Sequence, residues 1–76
     1  MPNYQDINLI YAETDISYSQ FIIDTVEEVY LDIKDWNRDA LLSRIYYLNN
    51  VLEIMVPGKD KQLLIRLISA LEPQKN

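Results

Sequence analysis

Residues 20–58 read QFIIDTVEEVYLDIKDWNRDALLSRIYYLNNVLEIMVPG and carry the pattern that decides the fold. Apolar residues recur in this stretch at steps of 4, 3, 4 and 3, which places them on one face of an α-helix. The first series is Ile22, Val26, Val29, Ile33 and Trp36, and the second is Leu41, Ile45, Leu48, Leu52 and Met55. The pattern predicts two amphipathic helices in succession.

Polar and helix-breaking residues mark where these helices begin and end. Ser17 or Ser19 is expected to cap the first helix and Asn37 the second, because their side-chain oxygens accept hydrogen bonds from free backbone N–H groups. Residues 56–58, Val-Pro-Gly, end the second helix, since proline lacks a backbone donor and disfavours a helical residue before it.

A third helix is predicted from a cap at Asp60 to about Leu71. Its apolar residues cover most of its circumference, and such a helix needs neighbours on more than one side. Three helices in one chain would leave part of it exposed, so the sequence predicts a helical homodimer. The residues assigned to the shared core seam are Ile45, Leu48, Leu52, Leu64, Ile68 and Leu71.

The N-terminal residues have no decisive pattern, because apolar residues alternate there as in a strand while tyrosines recur every seven residues. We expect a loosely ordered N-terminal arm over residues 1–16, a helical domain over 17–72 and a C-terminal tail over 73–76. The predicted fold class is all-α, a small three-helix domain made of a helical hairpin plus one helix.

Three aromatic residues have expected places in this fold. Trp36 is expected to fill the junction between the first two helices. Tyr46 and Tyr47 are neighbours in the second helix, so their rings point in different directions. We expect one of them to lean on the core and the other to join an interface, where tyrosine is favoured.

Composition excludes several classes of function. The 76 residues include no cysteine and no histidine, which removes the commonest metal ligands and the commonest general base. A formal net charge of −5 disfavours direct binding to nucleic acid or to anionic membranes. No apolar run approaches the length of a membrane span, and the N-terminus lacks a basic signal region. We expect a cytoplasmic, non-enzymatic protein with no catalytic, cofactor or metal site.

The strongest chemical feature is a row of carboxylates at helical spacing, on the side of the first helix away from its apolar stripe. This acidic row consists of Asp24, Glu28, Asp32 and Asp35. One interpretation is a docking face for a basic partner, such as the basic surface of a DNA-binding regulator. The other is a solvated helix face that keeps the protein soluble.

The helical segments also carry a similarity to a known family. The residues that carry it are Asn37–Ile45, Leu48, Glu53, Lys61–Ile68 and the preceding Phe21–Leu31. Over about residues 20–71 the chain resembles the YmgB/AriR family of small enterobacterial regulators. The resemblance implies a helical homodimer that connects to a two-component or phosphorelay system and affects biofilm and acid-stress genes. The break at residues 57–58 and the tyrosine-rich N-terminus depart from that family.

These observations predict a small regulatory protein that acts by protein–protein contact and modulates a transcriptional or two-component regulator. The alternative is an acidic inhibitor that neutralises a basic partner, as an immunity protein, an antitoxin or a phage-encoded blocker does. An acidic face suits both functions, because it complements a basic surface.

Overall fold

The structure, a computed structural model, describes residues 1–72. Its elements in chain order are α1 (Tyr4–Glu13), α2 (Gln20–Asp32), a short 3₁₀ turn (Ile33–Asp35), α3 (Arg38–Ile54) and α4 (Lys59–Leu71). Residues 1–72 contain no strand, so the prediction of an all-α fold is confirmed. The predicted C-terminal tail, residues 73–76, lies outside the described residues.

The N-terminal residues form a docked helix, so the prediction of a loosely ordered arm is wrong. Asn3 caps α1, because its side-chain oxygen accepts from the N–H of Asp6 and its amide donates to the Asp6 carboxylate, at 3.0 and 2.9 Å. Ile7 and Ile10 are only 2% and 1% exposed and belong to the core. Two buried side chains in ten residues give a weak pattern, and such a helix depends on tertiary packing. Residues 1–72 therefore hold four α-helices where three were predicted.

The predicted helix starts are confirmed at two of three positions. The side-chain oxygens of Ser19 and Asn37 accept from the N–H three residues later, at 3.4 and 2.8 Å. The prediction that Asp60 caps the last helix is wrong. Gly58 is the N-cap of α4 and offers no side-chain bond, whereas the Asp60 carboxylate accepts from the backbone N–H of Ser19 at 3.4 Å. Asp60 thus connects the starts of α2 and α4.

Helix α4 is the centre of the fold and contacts α1, α2 and α3. Its buried residues are Leu63, Leu64, Leu67, Ile68, Ala70 and Leu71. Leu48 of α3 is fully buried among them, and Ile45 and Leu52 pack at the edge of the same core. The residues of the predicted seam thus meet inside one chain. Helix α1 covers a side of α4 that three helices would have left open.

Three contacts outside the core hold α1 in place. The N–H of Asn3 donates to a backbone carbonyl near the end of α4 at 2.7 Å. Glu13 at the other end of α1 forms an ion pair with Arg66 of α4 at 2.6 Å. The rings of Tyr11 and Tyr30 stack between α1 and α2, with centroids 3.9 Å apart and planes 6° from parallel. Both ends and the middle of α1 are therefore attached to the rest of the domain.

Candidate protein-binding surface

The acidic row lies on the outer side of α2 and of the turn that follows it. Helix α2 buries Ile22, Val26 and Val29 against the core, which directs Asp24 and Glu28, two residues after Ile22 and Val26, away from it. Asp24, Asp32 and Asp35 are accordingly exposed and Glu28 is half-buried. The first three members sit on α2 and the last on the 3₁₀ turn.

The four carboxylates differ in what they contact. Asp24 accepts a hydrogen bond from the Gln20 side chain at 2.8 Å. Glu28 forms an ion pair with Arg44 of α3. Within residues 1–72, no ion pair involves Asp24, Asp32 or Asp35. Three members of the row therefore keep their negative charge unneutralised by a described side chain, while Glu28 has a structural partner.

Arg44 joins the acidic row to an aromatic side chain. Its guanidinium contacts Glu28 and lies 5.4 Å from the centroid of the Trp36 ring. Trp36 is partly buried and packs against the core at the junction of α2 and α3, where the sequence placed it. Sequence reasoning missed the role of Arg44, because residues on different helices have no local spacing that reveals a pair.

A shallow groove of about 400 Å³ opens beside this contact. We call it the aromatic groove, and its lining residues are Trp36, Ala40, Ser43, Arg44 and Tyr47. Tyr47 is 49% exposed and its neighbour Tyr46 is 71% exposed. The expectation that one of these tyrosines leans on the core is therefore wrong, since both keep much of their surface in solvent. Only Tyr47 lines the groove.

A second polar cluster joins the loop before α2 to the start of α4. The Asp15 carboxylate accepts from the backbone N–H of Ser17 at 2.9 Å and from its hydroxyl. These hydrogen bonds lower the pKa of Asp15, because they favour the charged carboxylate. Lys59 donates to the Ser17 hydroxyl, and its ammonium lies 4.6 Å from the centroid of the Tyr18 ring. This cluster fastens the loop, and its side chains already contact one another.

Metal binding and membrane insertion can be considered for the described residues. No group of three or more carboxylates in residues 1–72 is arranged to bind a metal ion. No helix in that range combines the length and the apolar character that crossing a membrane requires.

Neither a protein-family model, nor a curated protein, nor a solved structure matches this chain. The resemblance to the YmgB/AriR family therefore stays a prediction.

Proposed function

We propose that this chain is a small, non-enzymatic cytoplasmic regulatory protein that binds a basic protein partner through the acidic row. The partner class is a transcriptional or two-component regulator, as the resemblance to the YmgB/AriR family implies. The observation that carries the proposal is the exposure of Asp24, Asp32 and Asp35 on one side of a folded scaffold. Within residues 1–72 no cationic side chain pairs with them.

The electrostatic cost of this arrangement supports a role for it. Asp32 and Asp35 lie three residues apart in helical backbone, and neither has an ion pair within residues 1–72. Like charges this close on a helix destabilise it by roughly 0.2–0.5 kcal/mol. A basic surface laid across the row would relieve that repulsion and speed association through long-range attraction.

The alternative, an acidic inhibitor that blocks a basic enzyme, would use the same side of α2. Such an inhibitor would bind one nuclease or toxin tightly, and its association rate would fall steeply with salt. The identity of the bound protein separates the two functions.

Homodimerisation also remains a proposal. The apolar circumference of α4 favours it, although α1 of the same chain covers one side of that helix. Apolar side chains that remain exposed on α3 include Leu42, Tyr46 and Ile54, which a second copy of the chain would cover.

The test is affinity capture from cells that naturally encode the protein, with mass spectrometry of what binds. The bait variants are Asp32→Lys in the acidic row and Glu53→Lys on the exposed side of α3, and each changes the net charge by the same amount. Glu28 is unsuitable for reversal, because a lysine there would also disrupt the pair with Arg44.

We expect wild type and Glu53→Lys to capture the same basic regulator, and Asp32→Lys to bind it about tenfold more weakly at low salt. That factor corresponds to about 1.4 kcal/mol, as expected when one attraction becomes a repulsion. Capture of a single nuclease or toxin would favour the inhibitor function. Equal binding by both variants would mean that the acidic row is a solvated helix face and does not contact the partner.

A further inference from the structure

The aromatic groove differs in chemistry from the acidic row. Trp36 and Tyr47 contribute aromatic surface to its lining. The one formal charge in the lining belongs to Arg44, and Glu28 neutralises it. The lining holds no carboxylate with which a lysine or arginine could pair, whereas an apolar side chain that leaves water for this aromatic surface is stabilised by burial.

The groove adjoins the acidic row at Glu28 and Asp35. Asp35 directly precedes Trp36 in the chain, and the Arg44 side chain contacts both Glu28 and the Trp36 ring. From Asp24 to Asp32 the helix rises by about 12 Å, since each residue adds about 1.5 Å. A partner helix of about three turns, roughly 16 Å long, matches the length of this part of the row.

We infer that the partner presents a basic segment that also carries a bulky apolar residue, such as leucine or phenylalanine. Its lysines and arginines face Asp24, Asp32 and Asp35, and its apolar side chain enters the aromatic groove beside Tyr47. The occupant is basic because the exposed carboxylates beside the groove have no cationic partner within residues 1–72. This inference rests on the proposed function and adds the feature that distinguishes a partner from any other polycation.

The probes for the test are two synthetic helical peptides of equal length and equal positive charge. One carries leucine and the other serine at a single position next to the basic residues. Each is labelled and titrated with the 76-residue chain, and binding is followed by fluorescence anisotropy. The fluorescence of Trp36, the only tryptophan, reports occupancy of the groove in the wild-type protein.

We expect the leucine peptide to bind wild type about tenfold more tightly than the serine peptide, as burial of roughly half a leucine side chain provides. Only the leucine peptide should change the Trp36 fluorescence. Tyr47→Ala should reduce the advantage of leucine to about twofold, because the groove loses one wall. The matched control is Tyr46→Ala, a neighbouring tyrosine that does not line the groove, and it should leave that advantage intact.

The outcomes separate the two proposals. If both peptides bind equally, Asp32→Lys weakens both and Trp36 does not respond, the groove inference is overturned while the acidic docking face stands. If neither peptide binds wild type at low salt, the proposed function itself fails. Because the Trp36 readout uses the wild-type protein, the inference stays testable even if Tyr47→Ala does not fold.

Discussion

The docking of α1 on the core can be measured through Ile10, whose side chain is 1% exposed. The substitution Ile10→Ala removes three carbon groups from a packed site. At about 0.8 kcal/mol per group the lost transfer free energy is about 2.4 kcal/mol, and the remaining cavity raises the total cost to about 3 kcal/mol. A domain of this size has a free energy of unfolding of roughly 4–11 kcal/mol, so the variant should still fold. Its Tm should fall by about 12–24 °C.

The assay is urea denaturation followed by far-UV circular dichroism and by Trp36 fluorescence. The matched control is Leu9→Ala, because Leu9 precedes Ile10 on α1 but is 54% exposed and should change stability by less than about 0.5 kcal/mol. Coincident transitions by the two probes would mean that α1 unfolds together with the junction around Trp36. Equal urea midpoints for Ile10→Ala and Leu9→Ala would refute the reasoning, because in an undocked helix both side chains are exposed and both substitutions have similar effects on stability.

Two further predictions concern a helix cap and a titrating carboxylate. Asn37→Ala should lower the free energy of unfolding by about 1 kcal/mol through loss of the bond to the first turn of α3, whereas Asn50→Ala, exposed within the same helix, should not. Urea midpoints check this, and similar losses at both positions would contradict it. The hydrogen bonds from Ser17 lower the pKa of Asp15 in the folded protein from its ordinary 3.8. These bonds therefore stabilise the fold at pH values above 3.8, and the stabilisation is lost as pH falls through the folded pKa. Asp15→Asn should therefore be less stable than wild type at about pH 7 and approach it at about pH 2, and a deficit independent of pH would exclude this mechanism.

Most of the helical body follows from local pattern. The steps of 4 and 3 along residues 22–36 and again along residues 41–55 bring apolar side chains to one side of each helix whatever surrounds it. The N-terminal bounds of α2 and α3 follow from Ser19 and Asn37, whose side chains satisfy backbone donors only a few residues away. The Pro57-Gly58 break is equally local. Such features are predictable because each depends on residues close together in the chain.

The acidic row was found from the same spacing, but its chemistry was decided by tertiary contacts. On sequence alone its four carboxylates are equivalent. In the folded chain Glu28 is paired with Arg44, sixteen residues later in the sequence, and the other three are not paired within residues 1–72. The aromatic groove likewise joins Trp36 to side chains of α3 through the angle at which two helices meet, which no spacing specifies.

The sequence by itself therefore determined an all-α chain, the positions of α2, α3 and α4, and a line of carboxylates along α2. The tertiary structure alone decided that residues 4–13 are a helix, that this helix covers a side of α4, and that Glu28 is paired. The physical reason is the range of the interactions. Helical periodicity and capping act within about one or two turns. Two isoleucines on a short helix become decisive only when α2 and α4 are already there to bury them.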